Sequence, residues 1–242
     1  YVRSRPHASA YHLFGWKRVI EKTYGHRPYY LAAGRLLHVS QGETLSGVLP
    51  LIHMKHWLFA NRLSSMPYFD HGGILADDPE TAAALMNAAI ALGRNLRCDE
   101  LECRYMDPNP NPGKNSIESK TGAVVSVLTH KVRMVLSLPA SSEDLMTSFK
   151  AKLRSQIRKP TKSGLRAAFG GIELLDDFYQ VFALNMRDLG SPVHAKALIG
   201  HMLAAFPSET RLIMIYHNRK PLAGSVVIGM GDRSEERRVG KE

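Results

Sequence analysis

SSEDLMTSFKAKLRSQIRKPTKSGLRAAF, residues 141–169, passes from helix chemistry to strand chemistry and carries the densest positive charge of the chain. Ser141 with Asp144 three residues on is a helix start of capping-box type, Asp standing in for the usual Glu. Leu145, Phe149, Leu153 and Ile157 recur every fourth residue and predict one apolar stripe for burial on a single helix. Pro160 removes a backbone donor and restricts the residue before it, so that helix is expected to stop at about Lys159. A strand is expected next, near residues 165–169. Helix feeding directly into strand points to a mixed α/β chain.

The charge pattern of this stretch carries a functional expectation as well. Residues 150–166 hold seven Lys or Arg and no acid. Lys150, Arg154 and Arg158 recur at four-residue spacing, so on one helix they project from one face and repel one another. Like charges stacked in this way cost stability unless an anion takes them up, which predicts a partner rich in phosphate or carboxylate; a solvated basic face is the alternative. Arg154 and Arg158 are the first candidates for that contact, because a guanidinium binds such groups in a bidentate fashion. Lys152 and Lys162 are second candidates.

The same alternation extends over the chain. Helices are expected at 11–24, 81–96, 176–189 and 194–206, and strands at 29–33, 45–54, 99–104, 212–216 and 222–228. Leu13, Trp16, Val19 and Ile20 share one side of the first helix, with Gly25 as its stop. Pro50 inside the second strand argues for an edge or a bulge. SSMPYFDHGG, residues 64–73, is a loop dense in turn formers and aromatics, 107–115 is a plain loop, and 124–138 gives strand-like apolar runs around His130 and Lys131. Two successive units of similar order follow, residues 1–130 and 131–232, each mixed α/β (α+β). The last ten residues, RSEERRVGKE at 233–242, show neither helix nor strand period and resemble a tail that recurs at the ends of unrelated truncated sequences. They are read as a non-native tail, and the second unit as incomplete, its last strand an unpaired edge.

Composition narrows the function classes. Of 242 residues, 44% are hydrophobic and 22% charged, as in ordinary soluble globular proteins, and the net charge of +10 leans toward nucleic acid, nucleotide-bearing substrates or an anionic membrane surface. No apolar run reaches membrane-spanning length, and a cytoplasmic location is expected. Cys98 and Cys103 make neither a disulfide framework nor a zinc pattern, and His53 and His56 point to opposite faces of a strand, so no metal is expected.

Four stretches carry a resemblance: YHLFGWKRVIEKTYGHRPYYL from Tyr11, GVLPLIHMKHWLFANRLSSMPYFDHGGILA from Gly47, KLRSQIRKPTKSGL from Lys152 and FYQVFALNMRDLGSPVH from Phe178. With them the chain resembles the Fem-type (FemAB) aminoacyl transferases, in particular the branch found beside bacterial exosortase and PEP-CTERM systems. The resemblance implies two tandem GNAT-like acyltransferase domains and transfer of an activated acyl group. The group is typically an aminoacyl group from tRNA, and the acceptor an amine of a cell-envelope precursor of the peptidoglycan kind. The implied partners are an aminoacyl-tRNA or other phosphate-bearing donor and a nucleotide-linked precursor, with no cofactor. Pro160 stands where the family usually has Ala, which is expected to shorten the basic helix.

The residues themselves leave the chemistry open. An acetyl-CoA-dependent GNAT domain carries Arg or Gln, two spacers, Gly, a spacer, and Gly or Ala, whose backbone donors cradle a pyrophosphate. Arg187 to Gly190 begins like that string, but Ser191 and Pro192 follow, and Pro removes a needed donor. No Ser/His/Asp order or reactive-cysteine context is visible, so positioning of the substrates is the economical mechanism. In the loop, Tyr68, Asp70 and His71 bring a phenol, a carboxylate and an imidazole together as a candidate site wall; alternatively Tyr68 and Phe69 anchor the loop while Asp70 caps a turn. Arg187 is a candidate ligand or an internal partner of Asp188. A CoA-dependent N-acyltransferase and a non-catalytic nucleic-acid-binding module remain as alternative functions.

Overall fold

The computed structural model describes residues 1–36, 43–56, 60–105, 124–128, 134–231 and 233–240. The chain divides into two units, residues 1–131 with 230–233, and residues 132–229 with 234–242.

In the first unit, Ser9 caps a 3-10 turn at Ala10–His12, its side chain accepting from the Tyr11 N–H, and Leu13 then turns extended. That cap closes the turn early, so the helix expected from residue 11 begins only at α1, Trp16–Tyr24. Gly25 ends it with φ +69° and donates to the Glu21 carbonyl at 2.9 Å. Leu13, Trp16, Val19 and Ile20 are buried, as their spacing predicts.

β1 (Arg27–Leu36) and β2 (Glu43–His56) pair antiparallel. β3 (Ala60–Ser64) and β4 (Leu75–Ala76) both pair with the other side of β2, and β5 (Glu100–Glu102) runs parallel to β3. The strand order is β1-β2-β3-β5, which corrects the expectation that Pro50 marks an edge or a bulge: β2 is central, Pro50 stands in register opposite Tyr30, and the irregularity of this pair lies at Ala33 and Gly34. β4 meets β2 at Gly47 and Val48, and β3 meets it from Ile52 onward. Pro50 lies in the gap between those two partners, where the ladder needs no donor from it. β3 itself was invisible to the strand pattern. Over the sheet lies α2, Pro79–Asn95, started by Asp78, whose carboxylate accepts from the Thr81 N–H at 2.7 Å. Leu49, Leu51, Leu63, Leu85 and Ala89 are buried together between them. A Cβ on Gly47 would come within 2.7 Å of Thr81 and 2.8 Å of Leu85, so Gly there lets helix and strand approach.

In the second unit, the single helix expected across residues 141–159 is two. α3 covers Ser142–Ser148 and α4 Ala151–Lys162, with Phe149 between them in extended conformation, φ −78° and ψ 148°. The Ser141 cap forms as predicted, accepting from the Asp144 N–H. The break follows from the residues at its end: the hydroxyls of Thr147 and Ser148 donate back to the carbonyls of Asp144 and Leu145, at 2.9 and 2.7 Å. The four-residue stripe is therefore not continuous, and Leu153 and Ile157 are 41% and 42% exposed instead of buried. Pro160 also fails to stop α4. It sits in the last turn, where its ring costs one backbone bond, and the stop comes at Gly164 with φ +75° after Ser163 donates to Lys159 and Pro160.

β6 (Leu165–Gly170), β7 (Thr210–His217), β8 (Lys220–Met230) and β9 (Arg233–Gly240) form a sheet in that order. α5 (Leu175–Asp188) and α6 (Lys196–Ala205) belong to the same unit, and Phe178, Phe182, Leu198, Met202, Leu212 and Met214 are among its buried residues. β9 corrects two expectations: residues 233–240 do form a strand, and β8 has a neighbour on that side. The strand-like runs at 124–138 are corrected too, since residues 124–128 and 134–139 have no regular structure and Val124, Met134 and Leu136 are exposed. The loop expected at 107–115 lies outside the described residues. Among the described residues no helix is long and apolar enough to cross a membrane, and no cluster of His, Cys, Asp or Glu could hold a metal ion.

Candidate functional site

The basic segment of the second unit divides by burial. Arg154 is half-buried, and its Nη1 donates to the carbonyls of Phe149 at 2.7 Å and Thr147 at 3.3 Å. These are carbonyls that the end of α3 leaves without helical partners, so Arg154 joins the two helices and is committed in part to structure. Arg158, one turn further on α4, is exposed, as are Lys152 and Lys162. Among the described residues no hydrogen bond or ion pair holds these three side chains. All three are open to an anion, Arg158 and Lys162 one turn apart on the same face and Lys152 further round the helix. Arg187 stands apart from them, at the end of α5, paired with Asp188 at 3.0 Å on an exposed surface, an interaction worth at most about 1 kcal/mol.

In the first unit, the loop after β3 is held from beneath by a charged network. Ser64 donates to Glu102 at 2.9 Å, Arg104 pairs with the same carboxylate at 3.0 and 3.1 Å, and the Arg104 Nη1 reaches over to the Phe69 carbonyl at 2.6 Å. The Arg104 N–H donates to Ser65 Oγ at 2.8 Å. Gly72, at φ +144°, lies so close to Met66 that a Cβ would approach it to 2.5 Å. Phe69 packs on Trp16 and Tyr11 at ring-centroid distances of 4.4 and 4.8 Å.

This frame separates the three side chains that sequence grouped. Asp70 is exposed, whereas His71 is buried with its ring edge-on to Tyr11 at 4.9 Å. Tyr68 adopts φ +77° and places its hydroxyl 2.7 Å from His26 Nε2, its ring 4.5 Å from Tyr24. Burial, with Tyr24 adding to it, pushes the Tyr68 phenol up to about 12. Burial and the neighbouring His53 lower His26, so the pair is a protonated phenol against a neutral imidazole at neutral pH. Asp70 is the most open of the three, Tyr68 being half-buried with its hydroxyl turned onto His26 and His71 buried. The Glu102–Arg104 support was missed in the sequence, although two opposite charges two apart in a strand share a face and were there to be read.

That support gives a pH dependence. Burial acts to raise the Glu102 carboxyl, and the Arg104 and Ser64 hydrogen bonds outweigh it, leaving the group below its ordinary value of 4.5. A carboxyl lowered in the folded state contributes stability above its unfolded value and loses it as pH falls through the folded value. Thermal melts between pH 7 and pH 3 are expected to show a steeper acid loss in the wild type than in Glu102→Gln, which is already less stable at pH 7. Parallel curves would show that the network does not hold the loop.

No family model matches the chain, and no curated protein matches it. Among solved structures it is similar to the crystal structure of FemX, at 16% sequence identity and a TM-score of 0.56. The fold is Fem-like. The likeness covers 88% of this chain, more residues than either unit holds, and 54% of FemX, so the chain spans about half the length of that protein. Within this Fem-like fold the open cations sit on a short helix of the second unit, and the charged frame supports a loop of the first.

Proposed function

We propose that the chain acts as a Fem-type transferase that moves an aminoacyl or acyl group from an aminoacyl-tRNA to an amine of a nucleotide-linked cell-envelope precursor. The proposal includes the tandem GNAT-like domains at 1–130 and 131–232, the exosortase-linked branch and action in the cytoplasm. The observation that carries it is the set of exposed cations on α4, Arg158 with Lys152 and Lys162, on a chain with a Fem-like fold. An aminoacyl-tRNA presents phosphates that such a face can hold without base specificity. Arg154 contributes charge from beside it, while Asp70, the half-buried Tyr68 and the buried His71 form the loop wall, and Arg187 is an exposed cation at the end of α5.

The chemistry asks little of protein side chains. The acceptor amine, uncharged, attacks the ester carbonyl; the new C–N bond forms as the ester C–O bond breaks, and the departing ribose hydroxyl takes up the proton that the amine loses. Holding the two substrates in line supplies most of the acceleration, and no cofactor takes part. Incubation with tRNA charged with a radiolabelled amino-acid mixture and a UDP-linked muramyl peptide is expected to move label onto the peptide. Transfer from acetyl-CoA instead would establish the CoA-dependent reading, and tRNA binding with no transfer would leave a nucleic-acid-binding module.

A further inference from the structure

The core face of the first sheet continues beyond the end of α2 and changes character there. On β2, Leu49 and Leu51 are buried against α2, and the next residues of that alternation are His53 and Lys55. On β1 the corresponding positions are Tyr29 and Arg27, and the register sets Arg27 directly opposite His53. These four residues, with His26 and Arg97 just past the helix end, line an open cavity of about 670 Å³, in which Arg27, Lys55 and Arg97 are exposed to solvent. That volume lies within the usual range for small-ligand sites.

The lining contains two guanidinium groups, one ammonium and two imidazoles, and no carboxylate. The negative end of the α2 dipole favours one cation nearby, and the three permanent cations Arg27, Lys55 and Arg97 exceed that need. The wall is also built rather than incidental. Asn61 Nδ2 donates to the carbonyls of Leu96 and Arg97, at 3.0 and 2.6 Å, which fixes its amide orientation and turns Oδ1 toward His53 Nε2 at 2.6 Å. His53 therefore donates through Nε2. The same clasp holds Arg97 at φ +55°, and the Cys98 N–H closes the helix end onto the Gly93 carbonyl at 2.8 Å. Asp99, next in sequence, accepts from the Asn61 backbone N–H and is not part of the lining.

We propose that this cavity is an anion site for a small phosphorylated ligand. Three permanent positive charges suit a phosphate dianion or a pyrophosphate better than a single carboxylate, and guanidinium groups pair with phosphate oxygens in a bidentate fashion. The Tyr29 ring, with Arg27 stacked over it at 5.3 Å, supplies an apolar floor for the rest of the molecule. The site lies wholly within the first unit and does not depend on the transferase reading or on α4.

Inorganic pyrophosphate is the probe, titrated calorimetrically at constant ionic strength. Wild-type protein is expected to bind it, and Arg27→Gln/Lys55→Gln to bind at least tenfold more weakly with an unchanged melt in the absence of ligand. If that pair lowers the melt, Lys55→Gln/Arg97→Gln serves in its place. Lys152→Gln/Arg158→Gln is expected to bind pyrophosphate as the wild type does. Anionic phospholipid vesicles, a second source of phosphate, are expected to sediment the wild type and the cavity variants equally. Absence of binding by the wild type, equal binding by the cavity variants, or loss of binding only in the α4 variant would overturn the assignment. Vesicle binding abolished along with the cavity charges would replace a soluble ligand by a lipid headgroup, and would overturn it as well.

Discussion

Trp16→Ala is expected to lower the stability of the first unit by about 3–5 kcal/mol, the usual loss for removing a fully buried large aromatic. Trp16 is 0% exposed, its Nε1 donates to the Ala10 carbonyl at 2.8 Å, and its ring lies 4.4 Å from Phe69 and 5.7 Å from Tyr11. It therefore joins α1, the Ser9-capped turn before it and the loop that carries Asp70. Truncation leaves a cavity where three segments meet, and the loop loses its seat. Trp16→Phe retains much of the ring packing and gives up the hydrogen bond, for a smaller loss of about 1–2 kcal/mol. Urea unfolding of the two variants should place them in that order. Equal, small losses would mean that the loop is held by the Glu102–Arg104 network alone.

The parts of this molecule legible in the sequence were those set by periodicity and caps. The Ser141 cap, the buried side of α1, the extent of α2 and the strands β7 and β8 follow from spacing and from single turn or cap residues. Other features depended on competition that spacing does not record. Phe149 stands at a helical interval from Leu145 and Leu153, yet the two hydroxyl groups just before it turn back onto the carbonyls of Asp144 and Leu145, and the helix ends there. Pro50 reads as an edge signal, and becomes harmless in a central strand because the partner on one side changes there. Pro160 reads as a stop, and becomes tolerable within one turn of a glycine. The candidate site shows the same limit. Residue types marked the basic segment and the loop, but only the fold shows Arg154 turned back onto α3 while Arg158 faces solvent. The cationic cavity of the first unit joins residues from 26 to 97, a separation no local motif spans.

Arg158 and Lys152 carry the second large effect. Removing one charge-assisted hydrogen bond to a phosphate is expected to cost about 1.5–3 kcal/mol, so Lys152→Gln/Arg158→Gln should weaken tRNA binding by about a hundredfold or more. Because neither side chain is held within the described structure, the melt should be unchanged or slightly higher as repulsion is relieved. Arg154→Gln differs in kind. It should weaken binding and also loosen the end of α3, where the hydrogen bonds to Phe149 and Thr147 disappear.

The measurement closest to the central claim is the affinity for charged tRNA as a function of salt, for the wild type and for Lys152→Gln/Arg158→Gln. Counterion release predicts a linear fall of log K with log salt, and a slope shallower in the variant by about 0.7–0.9 for each phosphate no longer neutralised. A shallower slope with an intact melt is the predicted result. The same slope and affinity in both proteins would contradict the account and reduce the basic face of α4 to a solvated surface.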